Sequence, residues 1–383
     1  MTLLLAFAAT LSLAVLVSGL AARSVLSTAA LFLVAGFLLG LPANGPVPAD
    51  EPLVRALAEL ALFSVLFTDG MRAGLGDLAS SWRLPGRALL LGMPLTLAGT
   101  AVLGHYVAGL PWAPAFLLGA VLSPTDPVLA AAIVGRERVP LRLRRLLNVE
   151  SGLNDGLALP VVIVLLAVVG GEAEVGDAVL EMVAGVAIGV AAPLALLGLE
   201  RTRPFAATGV YEPLNGFAIG LLVYALTTTL HANVFLAAFC AGVTVASVAP
   251  PTREAFHGFG ELVTELLKLA ALFVFGTLIS PAFLGEISVG GYVFAVLTLL
   301  LVRPASLTLA LAGGGLGRRE LAVAAWFGPK GFASVVYGLL ILQAGIPGAD
   351  ELFHLVAAVT ALSMLAHSST DVPIAKRFGP TLS

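Results

Sequence analysis

Long apolar runs, each about the length of a bilayer crossing, follow one another along almost the whole chain, divided by short polar or Pro/Gly-rich breaks. A membrane helix needs about 20 mainly apolar residues. Continuous runs, rather than alternating apolar and polar positions, set the pattern apart from a β-barrel. The chain therefore reads as an all-α polytopic membrane protein with thirteen transmembrane helices. They are predicted at 2–20, 24–41, 53–71, 86–109, 114–135, 146–170, 178–199, 212–230, 232–249, 261–280, 290–313, 319–343 and 350–369. The weakest division is the tight turn at His231, Ala232 and Asn233, between spans eight and nine. The first run opens MTLLLAFAAT without a basic residue before it, so it reads as a retained span rather than a cleaved leader.

Composition agrees with the pattern, because 59% hydrophobic against 11% charged residues lies outside the range of soluble domains. The single cysteine, Cys240, excludes an intrachain disulfide. The net charge of −3 conceals a one-sided distribution. Alternate loops carry Arg23; Arg72, Arg83 and Arg87; Arg136, Arg138, Arg142, Arg144 and Arg145; Arg201 and Arg203; Arg253; and Arg318 and Arg319, with Lys376 and Arg377 in the tail. The intervening loops hold only Arg55. Positive loops stay in the cytoplasm, so the N-terminus is expected outside and the C-terminus inside. Lys268, Arg303 and Lys330 fall within predicted spans. No loop is long enough to fold as a separate soluble domain.

Two spans carry breaks. Span five contains SPTDP (123–127) and span twelve contains GPKG (328–331). If spans one to six and eight to thirteen form inverted halves, these are the fifth span of each, the kind of matched interruption that builds transporter sites. Pro124, Pro127 and Pro329 remove backbone donors and leave half-helix ends at membrane depth. Asp126 suits a positive N-terminal end, and Lys330 a negative C-terminal one. Lys330 equally suits an ion path.

Asp126, Glu150, Asp155, Lys268, Arg303 and Lys330 would together cost about 18 kcal/mol if all were unpaired and dry at mid-membrane, so pairing or water is required. Glu150 and Arg303 have opposite signs and read as a neutralising pair. Asp126 and Asp155 share a sign and read as an ion or proton route. Lys268 follows Glu265 at (i, i+3), so a local pair or a position at the cytoplasmic edge accounts for it. Glu59 and Asp69 bracket span three, where either could be a funnel residue, with Asp69 read as solvated near the cytoplasmic end. The five histidines lie near loops or span ends, His367 near the end of the last helix, and none has metal-ligand spacing.

On one helix Ser151 and Asp155 share a face, with Glu150 and Asn154 beside it. Hard cations prefer oxygen. Asp155, Ser151, Asp126 and freed carbonyls near Thr125 could bind a transported Na+ or K+ by such atoms. A buried carboxylate resists ionisation, which lets a proton compete for the same place, and exchange follows from that competition.

SPTDPV (123–128) and ESGLNDG (150–156) together resemble the monovalent cation/proton antiporter family, in its NhaP-like and sodium/hydrogen-exchanger branch. LVRP (301–304), ELLKLAALFVFG (265–276) and GPKGFAS (328–334) extend the resemblance over nearly the whole chain. The resemblance implies a secondary transporter, not an enzyme, with two crossed discontinuous helices at spans five and twelve. It implies core-domain helices within 86–170 and 261–369. Dimerisation and interface helices are implied within 1–71 and 178–249, with part of 290–313.

By the same resemblance, Asp155 binds cation or proton, Ser151, Asp126 and Thr125 complete the site, Asn154 stabilises the crossing, and Glu150 pairs with Arg303. Asn154 before Asp155 is the pattern associated with electroneutral exchange. A homodimer in a prokaryotic inner membrane is implied, with small cations as partners, no nucleic acid and no cofactor. Lys330 stands where the family usually has Arg, and FTDGM (67–71) has its acid one position from the family's usual place. Two other classes remain: a channel or symporter of similar architecture, and an intramembrane hydrolase using Asp126 and Asp155. The second lacks GxGD, HExxH and GxSxG motifs.

Overall fold

A computed structural model describes residues 2–21, 28–41, 52–73, 82–126, 139–171, 173–202, 209–279, 281–375 and 378. All regular structure among them is helical. The helices are α1 (Thr2–Ala21), α2 (Thr28–Leu39), α3 (Pro52–Arg72), α4 (Arg83–Tyr106), α5 (Trp112–Val121), α6 (Leu141–Gly170), α7 (Ala173–Glu200), α8 (Glu212–Thr229), α9 (Val234–Val248), α10 (Pro250–Leu278), α11 (Val289–Leu311), α12 (Arg318–Trp326), α13 (Phe332–Ala344) and α14 (Ala349–Ala375). A short helix, Pro281–Glu286, links α10 to α11. Five segments are long and apolar enough to cross a membrane by length and composition: Arg83–Tyr106, Leu141–Gly170, Val175–Glu200, Val289–Leu311 and Ala349–Ala375. The second part of predicted span five with Pro127, and the loop cations Arg23, Arg136, Arg138, Arg203, Lys376 and Arg377, lie outside the described residues.

Local sequence sets the helix ends. Asn233 starts α9 by accepting the Leu236 N–H at 2.8 Å, and Ser288 starts α11 by accepting that of Gly291 at 3.0 Å. His231 takes φ of 51° in the tight turn that separates α8 from α9. Gly345 ends α13 in the left-handed conformation, where a side chain would be strained. Inside α4 and α11 the backbone widens into single π turns, Ala88–Gly92 and Thr298–Val302. Pro94 and Pro304 follow directly. Each deprives the carbonyl four residues earlier of its donor, and the wider turn takes up the mismatch.

The chain divides into two compact units, residues 1–56, 83–154 and 269–383 in the first and 57–82 with 155–268 in the second. In the first, α4 and α11 pack side by side, Gly92 against Leu307 and Gly99 against Val302. A cluster that includes Leu307 and Leu311 of α11, with Val139, Leu143, Leu146, Ala324 and Phe327, is almost wholly buried. Gly36 of α2 meets Gly276 of α10 so closely that a Cβ on either would strike the opposing backbone. Such small-residue contacts replace the hydrophobic drive that lipid removes. In the second unit Gly70 of α3 and Gly242 of α9 do the same. There Lys268 lies 3.9 Å from Glu265, as their spacing predicts. Asp69 departs from its expected solvated state. It is 5% exposed and sits 3.4 Å from Arg72, whose guanidinium also reaches Glu261 at 2.6 Å. A carboxylate near a helix end stays buried when a cation one turn away offsets its desolvation.

Candidate cation site

Two stretches of non-helical backbone lie at helix ends. In the first, α5 stops at Val121, and Leu122–Asp126 continues as non-helical backbone around Pro124. The second interruption is Phe327–Gly331, between α12 and α13, around Pro329. Such interruptions leave terminal N–H and carbonyl groups without helical partners.

Each break supplies what the other lacks. Asp126 donates its backbone N–H to the Pro329 carbonyl at 2.9 Å, and its Oδ2 accepts the Phe332 N–H at the start of α13 at 3.2 Å. In the opposite direction Lys330 Nζ donates to the Ser123 and Pro124 carbonyls, at 3.3 and 3.4 Å, just beyond the end of α5. Ser334 Oγ donates to the Val121 carbonyl at 2.8 Å. An acid therefore lies on a helix N-terminus and a cation beyond a C-terminus, the arrangement that helix dipoles favour. Lys330 is 1% exposed and Asp126 8%.

Two glycines make the approach possible. A Cβ on Gly328 would fall inside the Arg303 guanidinium, and one on Gly331 would overlap the Asp126 side chain, with Oδ2 at 2.5 Å. The glycines of GPKG thus stand in the break for lack of space rather than for unusual backbone angles.

Helix α6 brings the remaining polar residues alongside the first break. Glu150, Ser151, Asn154 and Asp155 are all at most 6% exposed. Asn154 Nδ2 donates to Thr125 Oγ1 at 2.7 Å and to the Thr125 carbonyl at 3.2 Å. The Ser151 and Thr125 hydroxyls are 3.4 Å apart. Glu150 Oε1 accepts from Arg303 Nη2 at 2.8 Å in a pair whose side chains are each 5% exposed, and the same nitrogen donates to the Phe327 carbonyl at 3.3 Å. The first unit thus brings Thr125, Asp126, Glu150, Ser151, Asn154, Arg303 and Lys330 together. Asp155 follows on the same helix, one turn beyond Ser151 and on its face. Carboxylate, hydroxyl and carbonyl oxygens, with a cation held to one side, are ligands for a hard cation rather than for a soft metal.

Helix α14 adds two residues that the sequence did not place at the site. Ser363 Oγ accepts the Lys330 backbone N–H at 2.7 Å. His367, expected near the end of the last helix, is 1% exposed and sits with Nε2 3.0 Å from the Trp326 carbonyl. The signal available was a Ser and a His four residues apart in an apolar run, which places both on one face.

Residues 8–377 match the family described as "Sodium/hydrogen exchanger, transmembrane". The chain belongs to that family. Among curated relatives of this exchanger family, the K(+)/H(+) antiporter NhaP of Alkalimonas amylolytica is 25% identical over 90% of the chain and 61% of its own length. The K(+)/H(+) antiporter NhaP2 of Shewanella oneidensis is 25% identical over 94% of the chain and 64% of its own. The chain thus spans a little under two thirds of these relatives. The sodium proton antiporter MjNhaP1 from Methanocaldococcus jannaschii, solved at pH 8, has the same fold with a TM-score of 0.81, covering 99% of the chain and 98% of its own at 18% identity. The exchanger family consists of integral membrane transporters rather than enzymes.

Proposed function

We propose that the chain is a secondary antiporter that exchanges a monovalent cation, Na+, Li+ or K+, for H+ by alternating access. Cation and proton compete for Asp155, while Ser151, Asp126 and Thr125 offer the remaining oxygens. The observation that carries this reading is the mutual capping of the two non-helical stretches, 122–126 and 327–331, beside Thr125, Ser151 and Asn154. That capping keeps oxygen ligands and irregular backbone together at a depth where neither persists without a reason. The Glu150–Arg303 pair neutralises itself and serves as scaffold. Asn154 holds Thr125, and with it the first break.

The same proposal takes in thirteen spans arranged as inverted halves with crossed discontinuous helices. The paired π turns support it, since they occupy the fourth span of each half, and the breaks occupy the fifth. It further includes a core of helices within 86–170 and 261–369, and interface helices within 1–71, 178–249 and part of 290–313. A homodimer in the cell membrane, an external N-terminus, a cytoplasmic C-terminus, electroneutral stoichiometry and a role in pH homeostasis complete it. The curated relatives are named for K+ and the solved one for sodium, so the cation is best decided by assay.

The decisive test is exchange in proteoliposomes with an imposed pH gradient, run with each cation over a pH series under voltage clamp. Proton movement driven by cation that persists at zero voltage and disappears in Asp155→Asn is the expected result. A voltage-driven current without proton coupling would sink the antiport reading in favour of a channel.

A further inference from the structure

The break at 327–331 is held from outside by α14. Its last helical carbonyl before the interruption, Trp326 O, lies 3.0 Å from His367 Nε2, and its Lys330 N–H is bonded at 2.7 Å to Ser363 Oγ. These α14 residues are one turn apart, so one short face of the helix grips both sides of Pro329. The grip is continuous, because His367 Nδ1 lies 3.1 Å from that same Ser363 Oγ. It also lies 2.8 Å from the Ser363 carbonyl, which already belongs to the helical ladder of α14.

Nε2–H donates to Trp326 O, and the Ser363 hydroxyl oxygen accepts from the Lys330 N–H, so the two bonds that hold the break come from adjacent turns of one helix face. The Trp326 indole lies against the imidazole with ring centres 5.0 Å apart, and its Nε1–H donates to Thr370 Oγ1 at 3.0 Å, fixing the ring's position on α14. His367 and Ser363 are both essentially excluded from solvent. A polar chain this deeply buried is costly when incomplete, so it specifies one arrangement of the segment it holds.

That segment positions the site. Lys330 reaches back to the Ser123 and Pro124 carbonyls, and two residues further on the Phe332 N–H is bonded to Asp126. We propose that His367 and Ser363 are positioning residues for exchange, bracing the break at 327–331 so that Lys330 and the Phe332 amide stay registered on Ser123, Pro124 and Asp126. This rests on the antiport reading for its functional half only.

The test uses the full chain in liposomes, with rates normalised to incorporated protein. His367→Ala should raise the cation KM about fivefold, the factor for one lost buried hydrogen bond. His367→Gln, whose amide N–H replaces Nε2–H, should stay within about twofold of the unaltered chain. Combining His367→Ala with Ser363→Ala should add little to either alone, because the two act as one brace. A KM unchanged by His367→Ala, or Gln no better than Ala, overturns the proposal. If His367→Ala fails to insert, Ser363→Ala against Ser363→Thr decides: a raised KM restored by Thr supports the brace, and equal values overturn it. Amide hydrogen exchange over residues 327–332 reads the brace without transport. Ser363→Ala should speed exchange of the Lys330 amide about tenfold, and an unchanged rate overturns the brace. Should the unaltered chain move no protons against any cation, the antiport reading fails while this second measurement still judges the brace.

Discussion

Removing one member of the Glu150–Arg303 pair separates scaffold from ion path. At 2.8 Å and an effective dielectric constant near 20, the attraction between the two charges is about 6 kcal/mol, offset by the desolvation of both. Breaking such a pair leaves one charge buried without its partner, which costs ~3–5 kcal/mol. Glu150→Gln retains an acceptor for Arg303 Nη2 and should sit at the lower end. Arg303→Met should sit at the upper end and lose about 1.5 kcal/mol more, because its bond to the Phe327 carbonyl goes as well. Replacing both by apolar residues of similar length, Glu150→Leu with Arg303→Met, should recover most of the loss.

The assay is equilibrium unfolding of purified protein in mixed micelles titrated with denaturing detergent, with exchange measured in parallel. Both single variants should lose stability, and the double variant should be more stable than either while still exchanging cation for proton. Additive losses in the double variant, or a cost below about 1 kcal/mol for both singles, would refute the scaffold assignment. So would full stability accompanied by abolished transport, which would move Glu150 into the ion path.

Gly331→Ala should abolish or greatly slow exchange, since its Cβ displaces the Asp126 carboxylate from the Phe332 N–H; Gly338→Ala on α13, whose Cβ meets only side chains of α14, with Val356 Cγ1 at 3.0 Å, is the control and should remain active in the same liposome assay. Asn154→Ala leaves the Thr125 carbonyl short of a buried donor and should cost about 1–3 kcal/mol in detergent unfolding, together with a raised cation KM.

Charge and helix-breaking residues made the site partly legible in sequence. A carboxylate and a lysine beside prolines, in runs otherwise fit for lipid, are too costly to be incidental, and opposite signs on Glu150 and Arg303 foretold their pairing. Apolar run length likewise pointed to an all-helical membrane chain. What the chain alone withheld was whatever depends on distance. Gly328 and Gly331 look like ordinary breakers until Arg303 and Asp126 are seen against them. Asp69 has the surroundings of a loop residue in one dimension, yet Arg72 and Glu261 hold it in a buried network in three. His367 sits only a turn or two from a polar tail, so linear position suggested an end, whereas α14 runs on to Ala375 and carries it inside.

Reciprocal capping also has a consequence for how the protein comes into being. Lys330 and the Ser123 carbonyl it serves are 207 residues apart, and the Phe332 amide that Asp126 accepts is 206 away. A ribosome delivers the N-terminal segments first. For most of synthesis the stretch around Pro124 therefore awaits partners that have not yet been made. Only when Pro329, Lys330, Phe332 and Ser334 have followed can the first break be closed, so its assembly waits on residues more than 200 positions further along the chain.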